Sequence, residues 1–332
     1  MPDQSAPVLL GTLNNPIPDD AVTDWVYARD GAQLRYALFG TSSRPLHGTV
    51  CLFPGRGEFI EKYFEVVQDL RERDFAVAIL DWRGQGASER PLRNHFKGHV
   101  NHFAGYDDDL TSFMQNVVLP DCPPPYYALA HSMGANIVLR ALDERTWFSR
   151  VVAVCPLVSL MPPAMPWPLI RLTSEVLSVL GLSTLYLPGA DDQPAELSSF
   201  SNNRLTSDPV RYERTVELLE TNRNLGLGGP TIGWLAAAFQ AMAELRRKKF
   251  PHPLKAPVLM LAAGQDRVVS SKGIYRLGQR MPTSREITVD GARHEILMER
   301  DEFREQFWAA FDAFVPGMPD TAQPAKISSV AE

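Results

Sequence analysis

Seven short apolar runs, separated by stretches of helical periodicity, constrain the fold of this chain more than any other feature. They lie at residues 34–39, 50–53, 75–80, 126–130, 151–155, 258–263 and 285–289. Most are hydrophobic without a break, as strands covered on both faces must be. Strands alternating with helices predict an α/β protein with a mostly parallel central sheet flanked by helices. The rhythm fails between the fifth and sixth runs. From about Leu157 to Phe250 there are Pro/Gly clusters and amphipathic stretches at 210–220 and 231–247, but no strand pattern. An inserted helical cap is the simplest account. The expected plan is an N-terminal extension (1–24), a core in two pieces (25–156 and 251–316), a cap (157–250) and a poorly ordered tail (317–332).

Composition narrows the function. Thirty-three basic against 39 acidic residues give a net charge of −6 and a pI near 5.7, which argues against a nucleic-acid binder. The same balance gives no attraction to anionic lipid. The three cysteines, Cys51, Cys122 and Cys155, have no paired spacing, so neither a disulfide framework nor a zinc site is expected. Residues 1–15 lack a basic region followed by an apolar one, so a cytoplasmic protein is expected. Twenty uncharged residues at 151–170 match the length of a membrane span. They include Pro156, Pro162, Pro163, Pro166 and Pro168, and a helix so interrupted could not satisfy its backbone in lipid.

The sharpest chemical signal is Ala130-His-Ser132-Met-Gly134, at the end of an apolar run and the start of a helical pattern. It reads as a nucleophile elbow, G-x-S-x-G, with alanine for the first glycine. Small flanking residues suit a turn so tight that strand and helix nearly touch. A serine needs a base, and the base needs an acid to fix its tautomer. In this order of elements the acid and then the base follow the serine. Asp266 lies in the loop after run 258–263 and His294 in the loop after the last run, where open α/β sheets gather their sites. Oxyanion donors are expected from the Met133 amide and from the loop Pro54-Gly-Arg56-Gly-Glu58, with the Arg56 amide as the candidate.

Other residues compete for these roles. Asp290 is a rival acid but sits close to His294 in sequence. His131 is expected to be structural. The spacing of His95, His99 and His102 allows a metal only if that segment were helical, which Gly98 disfavours; packing beside the site is preferred. Asp107, Asp108 and Asp109 read as a solvated helix start. The glycines at 55–57 and 226–229 lack the rest of a phosphate-loop pattern.

Taken together, these motifs resemble the α/β-hydrolases, and within them the bacterial lysophospholipases and their monoacylglycerol-lipase relatives. The resemblance rests on Pro54-Gly-Arg-Gly-Glu58, Asp81-Trp-Arg-Gly-Gln-Gly-Ala-Ser88, Gly98-His-Val-Asn-His-Phe103, Ala130–Gly134, Gly228-Gly-Pro-Thr231 and Arg293-His-Glu-Ile-Leu297, spanning roughly residues 25–314. Pro54 departs from it, since many monoacylglycerol lipases carry His there. The resemblance implies an α/β-hydrolase fold, a Ser132–His294–Asp266 triad, Arg56 and Met133 oxyanion amides and no cofactor. It also implies a lysophospholipid or monoacylglycerol substrate. The apolar stretches 154–172 and 176–187 would form an acyl tunnel or simply cap core, and the cap is the candidate for peripheral membrane contact. The basic run Arg246-Arg-Lys-Lys249 would meet lipid phosphates or cap a helix dipole. Alternatives are a proline iminopeptidase-like enzyme, with Asp191, Asp192 or Glu196 holding an amino terminus, and a non-catalytic binding protein.

Overall fold

The computed structural model of the chain describes residues 6–40, 47–161, 166–247 and 256–316. Eight strands form one sheet: β1 (Val22–Tyr27), β2 (Gln33–Phe39), β3 (Thr49–Phe53), β4 (Ala76–Leu80), β5 (Tyr126–His131), β6 (Arg150–Val154), β7 (Val258–Ala263) and β8 (Ser284–Val289), in the order β1-β2-β4-β3-β5-β6-β7-β8. The first two pairings are antiparallel and the remaining five parallel. Strands β3, β4 and β7 are buried along their whole length, which is why they read as unbroken apolar runs. Strand β1 is the one the sequence pattern does not announce. It begins inside the expected extension and lies on the sheet edge, with Val22 and Tyr27 about half exposed and Asp24 interrupting the run.

Helices connect the strands: α1 (Phe64–Arg71), α2 (Ala104–Phe113), the single turn α3 (Leu119–Asp121), α4 (Ser132–Ala141), α5 (Trp167–Leu177), α6 (Pro209–Thr221), α7 (Ile232–Arg246), α8 (Ser271–Gly278) and α9 (Asp301–Phe314). Three of them, α5 to α7, lie in the long connection between the adjacent parallel strands β6 and β7. The two amphipathic stretches read from the sequence are α6 and α7. Each starts on a side-chain cap: Asp208 accepts from the Val210 and Arg211 amides with Pro209 in the first turn, and Thr231 accepts from the Trp234 amide. Pro168 sits in the first turn of α5, where a proline costs no hydrogen bond. Trp167 of α5 stacks edge-on against Phe239 of α7 at 5.4 Å. Pro162 and Pro163, Lys248 and Lys249, and the tail 317–332 lie outside the described residues. Among the described residues no helix is long and apolar enough to cross a membrane.

The antiparallel edge is fastened to the rest of the sheet by a buried ion cluster. Arg35 of β2 is fully buried and reaches Glu61 and Asp81, each at 2.7 Å and each fully buried. Asp81 follows β4, and Glu61 lies in the 3-10 turn Ile60–Tyr63 before α1. Buried charges hold only when every partner is present. Replacing Arg35 by Met should therefore leave two carboxylates uncompensated and cost about 3–5 kcal/mol of stability, measured by urea denaturation.

Candidate active site

Strand β5 ends at His131 and α4 begins at Ser132 with nothing between them. Ser132 takes the turn at φ 48°, a left-handed conformation that only a tightly held residue keeps. The approach is close enough that a Cβ on Gly134 would lie 2.2 Å from the Phe53 carbonyl oxygen and 2.5 Å from that of Pro54. That position admits glycine alone, whereas Ala130, buried within β5, faces no such limit. The chain leaving β6 closes around the elbow: the Leu157 amide donates to the Ser132 carbonyl at 2.9 Å, and Asn136 Nδ2 to the Leu157 carbonyl at 2.7 Å.

The loops after β7 and β8 bring an acid and a base to this serine. His294 Nε2 lies 3.0 Å from Ser132 Oγ, and His294 Nδ1 lies 2.7 Å from Asp266 Oδ2. The other Asp266 oxygen accepts from the Val268 and Val269 amides at 2.7 and 2.9 Å. Burial pushes the Asp266 carboxyl up, but the His294 bond and these two amides outweigh it and hold the carboxyl below its ordinary value. An ionised Asp266 fixes the proton of His294 on Nδ1 and leaves Nε2 free to accept from the serine. Asp290 is exposed and has no part in this chain of bonds. Cys155, just past β6, sets its thiol beside Asp266, and burial together with that carboxylate raises the thiol well above its ordinary value. Nothing in the cysteine spacing announces this neighbour.

The loop after β3 lies against the elbow, so Met133 and Arg56 both line the cavity with Ser132. Neither backbone amide donates to a described acceptor. The segment after β4 clamps this loop. Trp82 Nε1 donates to the Pro54 carbonyl at 2.8 Å, Gln85 Nε2 to the Gly55 carbonyl at 3.1 Å, and the Gly57 amide to Gln85 Oε1 at 2.9 Å. The Asp81–Ser88 motif is thus a brace for the loop at 54–58.

A buried charge network unites three loops. Glu58 accepts from the Gly55 amide and from the Tyr63 hydroxyl, and Lys62 bridges Glu58 at 3.6 Å and Glu295 at 2.6 Å. Burial would raise the Glu58 carboxyl, but the His131 and Lys62 cations hold it well below its ordinary value. Burial likewise opposes charge on His131, yet Glu58 prevails and raises the imidazole. Both His131 nitrogens face acceptors, Nδ1 against Glu58 at 3.0 Å and Nε2 against the His294 carbonyl at 3.2 Å. His131 ties the loop before α1 to the loop that carries His294.

Ser132 opens onto a cavity of about 890 Å³. Its walls are largely apolar, with Leu157, Leu160, Trp167, Ile170 and Leu177 from one side and Leu227, Trp234 and Leu235 from another. The apolar stretches of the β6–β7 connection divide between two roles, since Leu169, Leu172, Val176, Val179 and Leu180 are exposed instead. Of the three cap acids, Glu196 lines the cavity, whereas Asp191 and Asp192 do not. Arg246, at the end of α7, lines a second small hollow with Trp167 and Arg171, and Ser132 takes no part in it. His99 bonds to Thr231 Oγ1 at 2.9 Å and Asn101 Oδ1 at 3.1 Å. It packs beside the site as expected. Asp109 corrects the reading of a solvated helix start: it is fully buried, held by Arg83 at 2.6 Å, and burial pushes it up to about 6.

Comparison with known proteins gives the chain's family. The family described as serine aminopeptidase, S33, matches residues 44–301. Lysophospholipase L2 of Escherichia coli strain K12 is 30% identical over 304 residues, covering 85% of this chain and 86% of the relative. Monoglyceride lipase of Rattus norvegicus is 28% identical over 254 residues, covering 75% of each. Among solved structures, monoacylglycerol lipase of Paleococcus ferrophilus superposes with a TM-score of 0.67 at 22% identity, covering 86% of this chain and 99% of that one.

Because the His131 imidazole is raised in the folded protein, its bonds contribute fully below the ordinary imidazole value of about 6.5 and are lost as pH rises through the raised value. The Tm difference between the wild type and His131→Asn should accordingly shrink with rising pH, as followed by calorimetry across that range.

Proposed function

Because the chain belongs to the serine aminopeptidase S33 family of α/β-hydrolases, we propose that it hydrolyses carboxylic esters of lipids, and specifically lysophospholipids. The observation that carries this reading is the hydrogen-bonded series Ser132 Oγ, His294, Asp266, at 3.0 and 2.7 Å, opening onto a large apolar cavity. In this mechanism His294 Nε2 takes the Ser132 proton as Oγ attacks the ester carbonyl. The oxyanion is received by the Met133 and Arg56 amides, each contributing about 3 kcal/mol of barrier lowering. His294 then gives its proton to the departing glycerophospho-alcohol, and an acyl-Ser132 ester remains. Water, deprotonated by the same imidazole, releases the fatty acid. Asp266 stays ionised throughout and stabilises the imidazolium.

The substrate class follows from the cavity. Its apolar walls suit an acyl chain, and the 30% identity to a lysophospholipase over most of both chains favours lysophospholipid above monoacylglycerol, the second reading. An iminopeptidase would need carboxylates at the substrate's amino group, and two of the three candidate acids lie outside the cavity lining. In this reading residues 157–250 are the lid over the catalytic domain. Its outer surface carries Leu169, Leu172, Val176, Val179 and Leu180, exposed at 48–88%. Such a patch on a monomer marks an interaction surface, and we assign it to peripheral contact with a lipid surface.

Two experiments test the reading. Ser132→Ala should lose labelling by a fluorophosphonate probe, and Asp266→Asn should lower kcat about 10⁴-fold on lysophosphatidylcholine. Turnover of a prolyl-arylamide in place of lysophosphatidylcholine and monoolein would overturn the lipid assignment. For the lid surface, the double variant Val179→Glu, Leu180→Glu should weaken co-sedimentation with phosphatidylcholine vesicles while its turnover of a soluble short-chain ester stays at the wild-type level.

A further inference from the structure

Two charges in the cavity wall have no ionic partner among the described residues. One is the Arg56 guanidinium. Its Nη2 donates to the Gly228 carbonyl at 2.7 Å and its plane lies 5.1 Å from the Trp234 ring. Its Nε is sealed from solvent and has no hydrogen-bond partner. A guanidinium offers five N–H donors in a fixed fork, so one carbonyl leaves most of them free. Arg35 and Arg304, both buried, have carboxylates to answer them: Arg35 has Glu61 and Asp81, and Arg304 has Glu65 and Asp69. Arg90 has none among the described residues but spends its fork on the Gly84, Gly86 and Asn224 carbonyls. Burial pulls Arg56 down to about 10, which keeps it cationic at neutral pH. The other charge is the Glu196 carboxylate in the turn Ala195–Leu197. Glu196 is buried, which pushes its carboxyl up, and Lys62, the cation that opposes this, is already engaged by Glu295 and Glu58.

Burying a lone charge is costly, and folded proteins retain one where a ligand supplies the counter-charge. Here the two groups are of opposite sign and line the same cavity as Ser132, and Glu196 favours the charge on Arg56. Arg56 also offers its own amide to the oxyanion in the proposed mechanism. Its side chain therefore extends by a few bonds from the reacting carbonyl, much as a headgroup phosphate lies a few bonds from the scissile ester. A neutral monoacylglycerol would leave both charges unanswered.

We propose that Arg56 and Glu196 form a receptor for a zwitterionic phospholipid headgroup, the guanidinium taking the phosphodiester anion and the carboxylate taking the ammonium of ethanolamine or choline. This assignment rests on the reading of the protein as a lipid ester hydrolase and names what selects its substrate. Arg is suited to the anion because its fork meets two phosphate oxygens at once. Glu196 is suited to the ammonium because the largely apolar wall around it strengthens the attraction.

The test reads ratios of kcat/KM between substrates with the same oleoyl chain. Arg56→Met should lower the value for lysophosphatidylethanolamine about tenfold more than the value for monoolein, the loss expected of one charge-assisted contact. Glu196→Gln should lower lysophosphatidylethanolamine about tenfold more than lysophosphatidylglycerol, which has the phosphate but no ammonium. A merely structural role, such as anchoring the Gly228 carbonyl, would lower paired substrates equally and leave the ratios unmoved. Should Arg56→Met not fold, Arg56→Lys is read in the same way. It keeps the charge but loses the fork, and its ratio should fall about threefold. Unmoved ratios with lipid turnover intact overturn the headgroup receptor alone. A wild-type enzyme that cleaves neither class of lipid overturns both the receptor and the reading beneath it.

Discussion

The site depends on how closely α4 presses against the end of β3. Gly134 is the point of contact, where any Cβ would run into the Phe53 and Pro54 carbonyls. The strained φ of Ser132 is the consequence, because β5 must turn into α4 with no intervening residue. A looser junction would relieve the serine but separate the Met133 amide from the Arg56 amide. Oxyanion stabilisation needs donors fixed in advance, so that nothing has to reorganise when charge develops. In the proposed mechanism the strain at one residue serves the alignment of two amides, and the turn's first helical amides add the positive end of the helix dipole.

That alignment would drift if the loops were free, and buried charges prevent it. Glu58 sits on the oxyanion loop, His131 at the end of β5 and Glu295 beside His294, with Lys62 between the two carboxylates. Each group alone would be costly to bury, and each is stable only because the others are present. The cluster therefore behaves as one unit, and displacement of any loop would expose charges that the other two must answer. On the far side of the same loop, Asp81 plays a similar part. It accepts from the Ile60 and Ala87 amides while paired to Arg35, which links the β4 brace to the antiparallel edge of the sheet.

Much of this architecture is legible in the sequence, for physical reasons. Strands β3 to β7 are readable because burial on both faces demands apolar runs, and the elbow because its geometry tolerates few residue types. Asp266 and His294 are readable from their place after β7 and β8. Strand β1 is not, since an exposed edge strand is free to carry Asp24 and a polar alternation. Asp109 misleads in a different way. A buried ionisable residue looks the same in sequence as a solvated one until its partner, here Arg83, is brought beside it by the fold. The lack of an ionic partner at Arg56 is the least legible feature of all, because it consists of a partner that no other described residue supplies.

Helix α5 joins the two halves of the argument. It turns Trp167, Ile170, Ser174 and Leu177 toward the cavity, and Leu169, Leu172 and Val176 outward. A helix on a water-facing surface normally keeps one face polar, and one that is apolar on both sides needs an apolar neighbour on each. The cavity provides one such neighbour. In the proposed reading a lipid surface provides the other, and its acyl chains are of the same chemical nature as the ligand for which the cavity is lined. On that reading an acyl chain passing from the lipid to the cavity stays in apolar surroundings. The headgroup, meanwhile, meets the charges of Arg56 and Glu196. The chemistry of the substrate, apolar at one end and zwitterionic at the other, is then matched wall by wall.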